Sequence, residues 1–326
     1  MNFDSLLTNP WILVLALIFG FVFLVFGADG LVNGASGLAK RFGVSNLVIG
    51  MTVVAFGTSM PEFVVNMFSV AEGSTDLALT NILGSNIINI FIILGLTAIV
   101  YPISSTKQTR DFDIPLTIIA GFIVFVFVAI TLPFEQERGL SRLGGIILLL
   151  IFVIFMAHNV KYAKQGTAEQ QDFQPMKIWK ALLYIFFGLV GLVVGGEMIV
   201  KSAVKMAQDL GVSDAIIGLT IVALGTSLPE LATSVIAAFK HNCDLALGNV
   251  IGSVSFNVFF VLGASAVIIP LPAYIGIELD SIMATSGAAL VWLFIKTNKE
   301  RQLKRWHGLV FLLIYAAYLT YRLMSI

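Results

Sequence analysis

The chain has 326 residues, 58% of them hydrophobic and only 12% charged, about half the charged share of an average soluble domain. Nineteen basic residues balance nineteen acidic ones, so overall charge offers nothing to nucleic acid. One cysteine, Cys243, excludes an internal disulfide and a cysteine-based metal cluster.

Ten apolar segments follow one another, each near the ~20 residues that a spanning helix needs. Their approximate limits are 10–30, 45–70, 77–100, 113–133, 141–160, 178–200, 213–238, 244–269, 275–296 and 306–324. The composition and these segments predict an all-α polytopic membrane protein. The first segment is expected to be a span and not a cleaved leader, because no basic run precedes Trp11 and the apolar stretch is too long. Residues 161–177 form a short polar linker. His158, His241 and His307 stand beside basic residues at span ends, where an interfacial position is expected of them.

Residues 43–102 and 211–270 align without a gap at an offset of 168, with 26 identities in 60 positions. Apolar composition alone would not reproduce the polar matches, which include Thr58/Thr226, Ser59/Ser227, Glu62/Glu230, Asn81/Asn249, Ser85/Ser253 and Asn89/Asn257. The chain is internally duplicated. Residues 1–160 and 178–326 hold five segments each, and an odd number turns the second copy over in the bilayer. Ten transmembrane helices in two inverted five-helix repeats are expected.

Lys and Arg give the orientation. With both termini outside, 14 of the 19 basic residues fall in inner loops, among them Lys40, Arg41, Lys107, Arg110, Lys161, Lys240, Lys296 and Lys304. The linker is then cytoplasmic, and the expected location is the cell's inner (plasma) membrane.

Two polar hexapeptides interrupt this apolar background, Gly57-Thr58-Ser59-Met60-Pro61-Glu62 and Gly225-Thr226-Ser227-Leu228-Pro229-Glu230. A charge at the centre of a spanning helix costs roughly 2.5–3.5 kcal/mol on insertion scales, and here that cost is borne twice. Proline removes an N–H and displaces the carbonyl four residues back, so the helix should break at each motif. Broken helix at membrane depth is tolerated only inside protein or beside a water-filled cavity. Carbonyl, hydroxyl and carboxylate oxygens are hard ligands that suit Ca²⁺ or Na⁺. In the next segment of each copy Asn81, Ser85 and Asn89, and Asn249, Ser253 and Asn257, recur every fourth residue and line one helix face. Each stripe is expected to face the broken helix of its own half. Two buried acids need counter-charge, which one Ca²⁺ or two Na⁺ would supply. A site stable only when filled favours exchange over empty return.

The paired motifs, G-T-S-M-P-E…G-S-N-I-I-N and G-T-S-L-P-E…G-S-V-S-F-N, resemble the alpha-repeats of the calcium/cation antiporter superfamily, and within it the prokaryotic sodium/calcium exchangers. The resemblance implies a metal-ligand set made of Ala55 (carbonyl), Thr58, Ser59, Glu62, Ser85 and Asn89, with Ala223 (carbonyl), Thr226, Ser227, Glu230, Ser253 and Asn257. It implies exchange of Ca²⁺ for Na⁺ by a monomer in a lipid bilayer, with no cofactor, and sliding of the first and sixth spans to switch access. One departure is Asn257, where such exchangers carry Asp. Val254 and Ser255 also break the pattern of the first copy. Asp29 and Glu197 occupy one repeat position on the two presumed moving helices, either as interfacial acids or as residues lining the entrances. An H⁺/Ca²⁺ exchanger is the alternative. A channel or an intramembrane enzyme fits less well, because no filter-like ring of carbonyls and no Ser–His or His–carboxylate set falls within the segments.

Overall fold

The computed structural model describes residues 10–130, 138–163, 176–211, 221 and 223–324. The chain is helical nearly throughout. Helix α1 spans Pro10–Phe42, α2 Asn46–Thr58, α3 Met60–Ala71, α4 Thr75–Val100, α5 Thr109–Ala129 and α6 Arg142–Ala163. Among the described residues, α7 (Ile178–Asp209) is followed by a helical turn, Ala223–Gly225, and by α8 (Leu228–Phe239). The chain then continues through α9 (Cys243–Ile268), α10 (Ile277–Thr297) and α11 (Arg305–Met324). Among the described residues eight helices are long and apolar enough to cross a membrane, and α2 with α3, bent by 47°, makes a ninth. The N-terminal half of the expected seventh span and most of the 161–177 linker lie outside the described residues.

Local chemistry sets the boundaries. Gly43, at φ 64°, ends α1, and the Ser45 hydroxyl then caps α2 by accepting from the Val48 N–H at 3.3 Å. Asn242 caps α9 in the same way, accepting from the Leu245 N–H at 3.2 Å. α1 and α7 run 33 and 32 residues, well past the limits of about 30 and 200 expected from hydropathy. Their polar stretches (Asp29 to Lys40, Lys201 to Asp209) lower the hydropathy but contain no proline, so the helix continues. At 1.5 Å per residue each helix is about 50 Å long, more than the ~30 Å of a hydrocarbon core, and accommodates by tilting or projecting.

α4 and α9 form the centre: 78% of the most apolar stretch of each is buried, against 17–39% for the six other long helices. Phe91, Phe155, Phe259 and Phe311 are fully enclosed around them. α1 and α7 lie outside, packed on one another through facing glycines, with Phe19, Phe26, Phe186 and Phe187 turned outward. This outer face is apolar, as lipid requires.

Two small antiparallel clips tie the body at its two ends. Ile103–Ser104 (β1) pairs with Gln302–Leu303 (β4), and Gly139–Leu140 (β2) pairs with Leu271–Pro272 (β3). Beside the second clip Asp280 accepts from the Tyr274 hydroxyl at 2.6 Å, the Tyr318 hydroxyl at 2.7 Å and Arg322 at 3.3 Å. Burial, and then the Asp280 carboxylate, hold the Tyr274 phenol well above its usual range, so it remains a donor. Asp280→Ala leaves two half-buried tyrosine hydroxyls without this acceptor. It should lower stability by about 2–3 kcal/mol, seen as a lower melting temperature, while Asp280→Asn should lose less.

Candidate cation-binding site

The chain breaks at Ser59, whose φ of −86° and ψ of 8° leave the helical line, and again at Ser227, with φ −90° and ψ 5°. Pro61 and Pro229 fall in the first turn of the new helices α3 and α8, where their missing N–H costs nothing. Glu62 and Glu230 therefore stand in the first turn of a helix, near its positive end. Both are 0% exposed.

The two motifs are brought together and cross-hold each other. Ser59 donates to Glu230 Oε1 at 2.7 Å, and Ser227 donates to Glu62 Oε1 at 3.2 Å. Ser253 donates to Glu230 Oε1 at 3.4 Å. The carboxyl groups are near enough to repel one another, and Thr226, half-buried, stands beside Glu62. Thr58 donates to the Ala55 carbonyl at 3.4 Å and to Asn249 Oδ1 at 3.2 Å. Ala223 opens its helical turn, but its side chain lies outside the described residues.

α4 and α9 approach the broken helices from behind. Asn81 donates to the Glu62 carbonyl at 3.3 Å, and Asn249 to the Glu230 carbonyl at 3.4 Å and the Ser234 hydroxyl at 2.9 Å. These bonds stay within one half, as the stripe pattern suggests. Asn257 departs from the expectation and donates across to Asn86 Oδ1 at 3.3 Å. Ile88–Leu94 and Asn257–Leu262 are π-helical, so the regular helical period of each stripe does not continue through Asn89 and Asn257. Gly252 allows the approach of α9 to α2, since a Cβ there would stand 2.7 Å from Met51 Cα.

Five oxygens of the expected set are buried and have no hydrogen-bond partner: Glu62 Oε2, Glu230 Oε2, Ser85 Oγ, Asn89 Oδ1 and Asn257 Oδ1. Buried polar atoms are nearly always satisfied, so this concentration of orphans needs a ligand to explain it. Five oxygens, two of them from carboxylates, form a donor set suited to hard cations. Asn66, 0% exposed with both amide atoms unpartnered, extends the set. It lies one turn beyond Glu62, and its counterpart at the repeat offset is Ser234. A search for identities passes over this pair, whereas a search for polar positions finds it.

Asp29 and Glu197 are not in this cluster. Asp29 pairs with Lys240 at 2.6 Å, and Glu197 with Lys201 at 2.8 Å. His307, near the start of α11, is buried, with its ring stacked on Phe294 and Nδ1 accepting from the Lys304 N–H at 2.9 Å.

The family profile described as "Sodium/calcium exchanger protein" matches residues 12–161 and 180–324. The sodium/calcium exchanger MaX1 of Methanosarcina acetivorans is 30% identical, over 94% of this chain and 97% of that one. The Ca²⁺/H⁺ antiporter ChaA of Bacillus subtilis is 23% identical, over 77% and 76%. Among solved structures, the sodium-calcium exchanger NCX_Mj soaked with Na⁺ and Sr²⁺ superposes with a TM-score of 0.82 at 33% identity, covering 96% of this chain and 99% of that one. A match over nearly the whole length, together with a shared fold, makes this multi-span membrane protein a member of the sodium/calcium exchanger family.

Proposed function

We propose that the chain exchanges Ca²⁺ for Na⁺ by alternating access, binding both at one site between two inverted five-helix repeats. The cross-held acids and the orphaned oxygens around them carry this reading. The ligands are Thr58, Ser59, Glu62, Ser85 and Asn89 with the Ala55 carbonyl, and Thr226, Ser227, Glu230, Ser253 and Asn257 with the Ala223 carbonyl. One Ca²⁺ or two Na⁺ neutralise the two carboxylates, and a filled site relieves their mutual repulsion. α1 and α7 slide over the body and open the site first to one side and then to the other. Both termini lie outside, the 161–177 linker is cytoplasmic, and the protein works as a monomer.

The test is Ca²⁺ uptake into proteoliposomes under an imposed Na⁺ gradient with no pH gradient. Uptake that follows the Na⁺ gradient is expected. Uptake driven only by a pH gradient would replace Na⁺ with H⁺ as the counter-ion. One observation favours that second reading: ChaA, an H⁺ antiporter, is related over three-quarters of the chain.

Asn257→Asp adds a third acid to the site and removes the donor to Asn86. The new carboxyl must lose its proton before it can serve a cation. Uptake should then become sensitive to acid, and Na⁺ should compete more strongly. An unchanged pH profile would show that position 257 does not touch the ion.

A further inference from the structure

Among the described residues, a third acid besides Glu62 and Glu230 is wholly enclosed: Asp113, 0% exposed. It ends the π-helical turn Thr109–Asp113 that opens α5. Neither of its carboxyl oxygens has a hydrogen-bond partner. The amides of Gln108 and Asn159 stand beside it. They bond to each other, Gln108 Nε2 to Asn159 Oδ1, at 3.0 Å, while Gln108 Oε1 has no partner. Charged groups surround this pocket without entering it. On its own segment are Lys107, Arg110 and Asp111, with Arg110 paired to Asp111 at 2.9 Å. On α10 is Lys296, over the ring of Trp292, whose indole donates to the Arg110 carbonyl. On α6 are Lys161 and His158, the latter stacked on Phe112 at 3.6 Å. An ionised carboxylate without a partner is strongly disfavoured in such a place, and a proton removes the charge without needing room.

Asp113 is also connected inward. Thr117, one turn on, donates to the Asp113 carbonyl at 2.9 Å and shares a hydrogen bond with Ser255 at 2.8 Å. Ser255 precedes Asn257 by two residues, and Asn257 donates to Asn86. Asn86, Thr117 and Ser281 line one internal cavity of about 10 Å³, the space of a single water. Asn86 Nδ2, Asn257 Oδ1 and Ser281 Oγ have no partners. A polar line thus crosses an otherwise apolar body on α4, α5, α9 and α10, away from the α1–α7 pair.

We propose that Asp113 is a second ion-handling site, one that binds a proton from the basic end of the molecule, and that the line from Thr117 across the small cavity to Asn86 and Asn257 couples its occupancy to the central site. The proton site stands by itself, whereas the coupling rests on the exchange reading above.

The test follows the carboxylic C=O stretch of purified full-length protein in lipid by infrared spectroscopy as pH is stepped. In the native protein a band of protonated carboxyl should fade as pH is raised. Asp113→Asn should lose that component, and Asp113→Glu should keep it at a shifted frequency. A spectrum that Asp113→Asn leaves unchanged overturns the proton site. A titration that moves with Na⁺ or K⁺ at constant ionic strength also overturns it, in favour of a metal cation. Adding Ca²⁺ at fixed pH should perturb the Asp113 band in the native protein and not in Thr117→Val. No response in the native protein overturns the coupling. In Glu62→Gln the Ca²⁺ response should vanish while the pH titration remains. A response that persists there refutes the central-site reading and leaves the proton site standing.

Discussion

Glu62→Gln and Glu230→Gln should each abolish Ca²⁺ uptake in proteoliposomes without unfolding the protein. Glutamine keeps the shape, and its Oε1 can still accept from Ser227 or Ser59. What it removes is half of the charge facing a divalent ion. Two unit charges about 4 Å apart interact by about 4 kcal/mol at an effective dielectric constant near 20, and a divalent ion doubles that attraction. Even the single-charge figure corresponds to roughly a thousandfold loss of affinity. Stability should move the other way. The variant no longer confines two like charges at 0% exposure, so its melting temperature without Ca²⁺ should equal or exceed that of the native chain. Normal Ca²⁺ uptake by either variant would dispose of the site.

The second large effect is expected at the glycine seam between α1 and α7. A Cβ built on Gly27 would lie 2.8 Å from the Gly188 carbonyl oxygen and from Leu192 N. One on Gly188 would lie 2.7 Å from Leu31 N, and one on Gly195 2.6 Å from the Gly20 carbonyl. These neighbours are backbone and cannot swing away. Gly188→Val should therefore cost about 1–3 kcal/mol through overpacking. It should also impair transport, because α1 and α7 move over the body as a pair and this seam holds the pair together. Gly30 is the control: its added Cβ meets the Tyr184 carbonyl only at 3.5 Å, an ordinary contact. Gly30→Ala should transport and melt like the native chain. Ion flux through Gly188→Val at the native rate would show that close packing of α1 on α7 is not needed for the pair to slide over the body.

The acids and serines of the site are legible in sequence because their cost is. A carboxylate in an apolar run has few explanations, and a second one at a fixed offset has fewer. Pro61 and Pro229 locate the breaks to within two residues, since a missing N–H acts locally. Asn257 and Asn89 are found as residues but not as geometry. A π turn leaves no mark that a period of 3.6 can detect, so the contact from Asn257 to Asn86 could not be foreseen. Asn66 was hidden for a different reason, its counterpart being polar but not identical. The ends of α1 and α7 were misjudged because hydropathy records where lipid begins, whereas a helix stops only where a backbone feature such as Gly43 stops it. Asp113, at the edge of an apolar segment, carries no repeat partner or motif that would single it out in the sequence. Only folding, which places Gln108 and Asn159 beside it, takes it out of water.

The serine that steadies each acid belongs to the other copy of the motif. That arrangement ties the two descendants of one duplication to a common fate. A substitution at position 59 is felt at Glu230, and one at 227 is felt at Glu62, so neither copy can drift alone. A gene doubling usually frees one copy to acquire something new. Here the crossed hydrogen bonds make each copy a support for the other's acid.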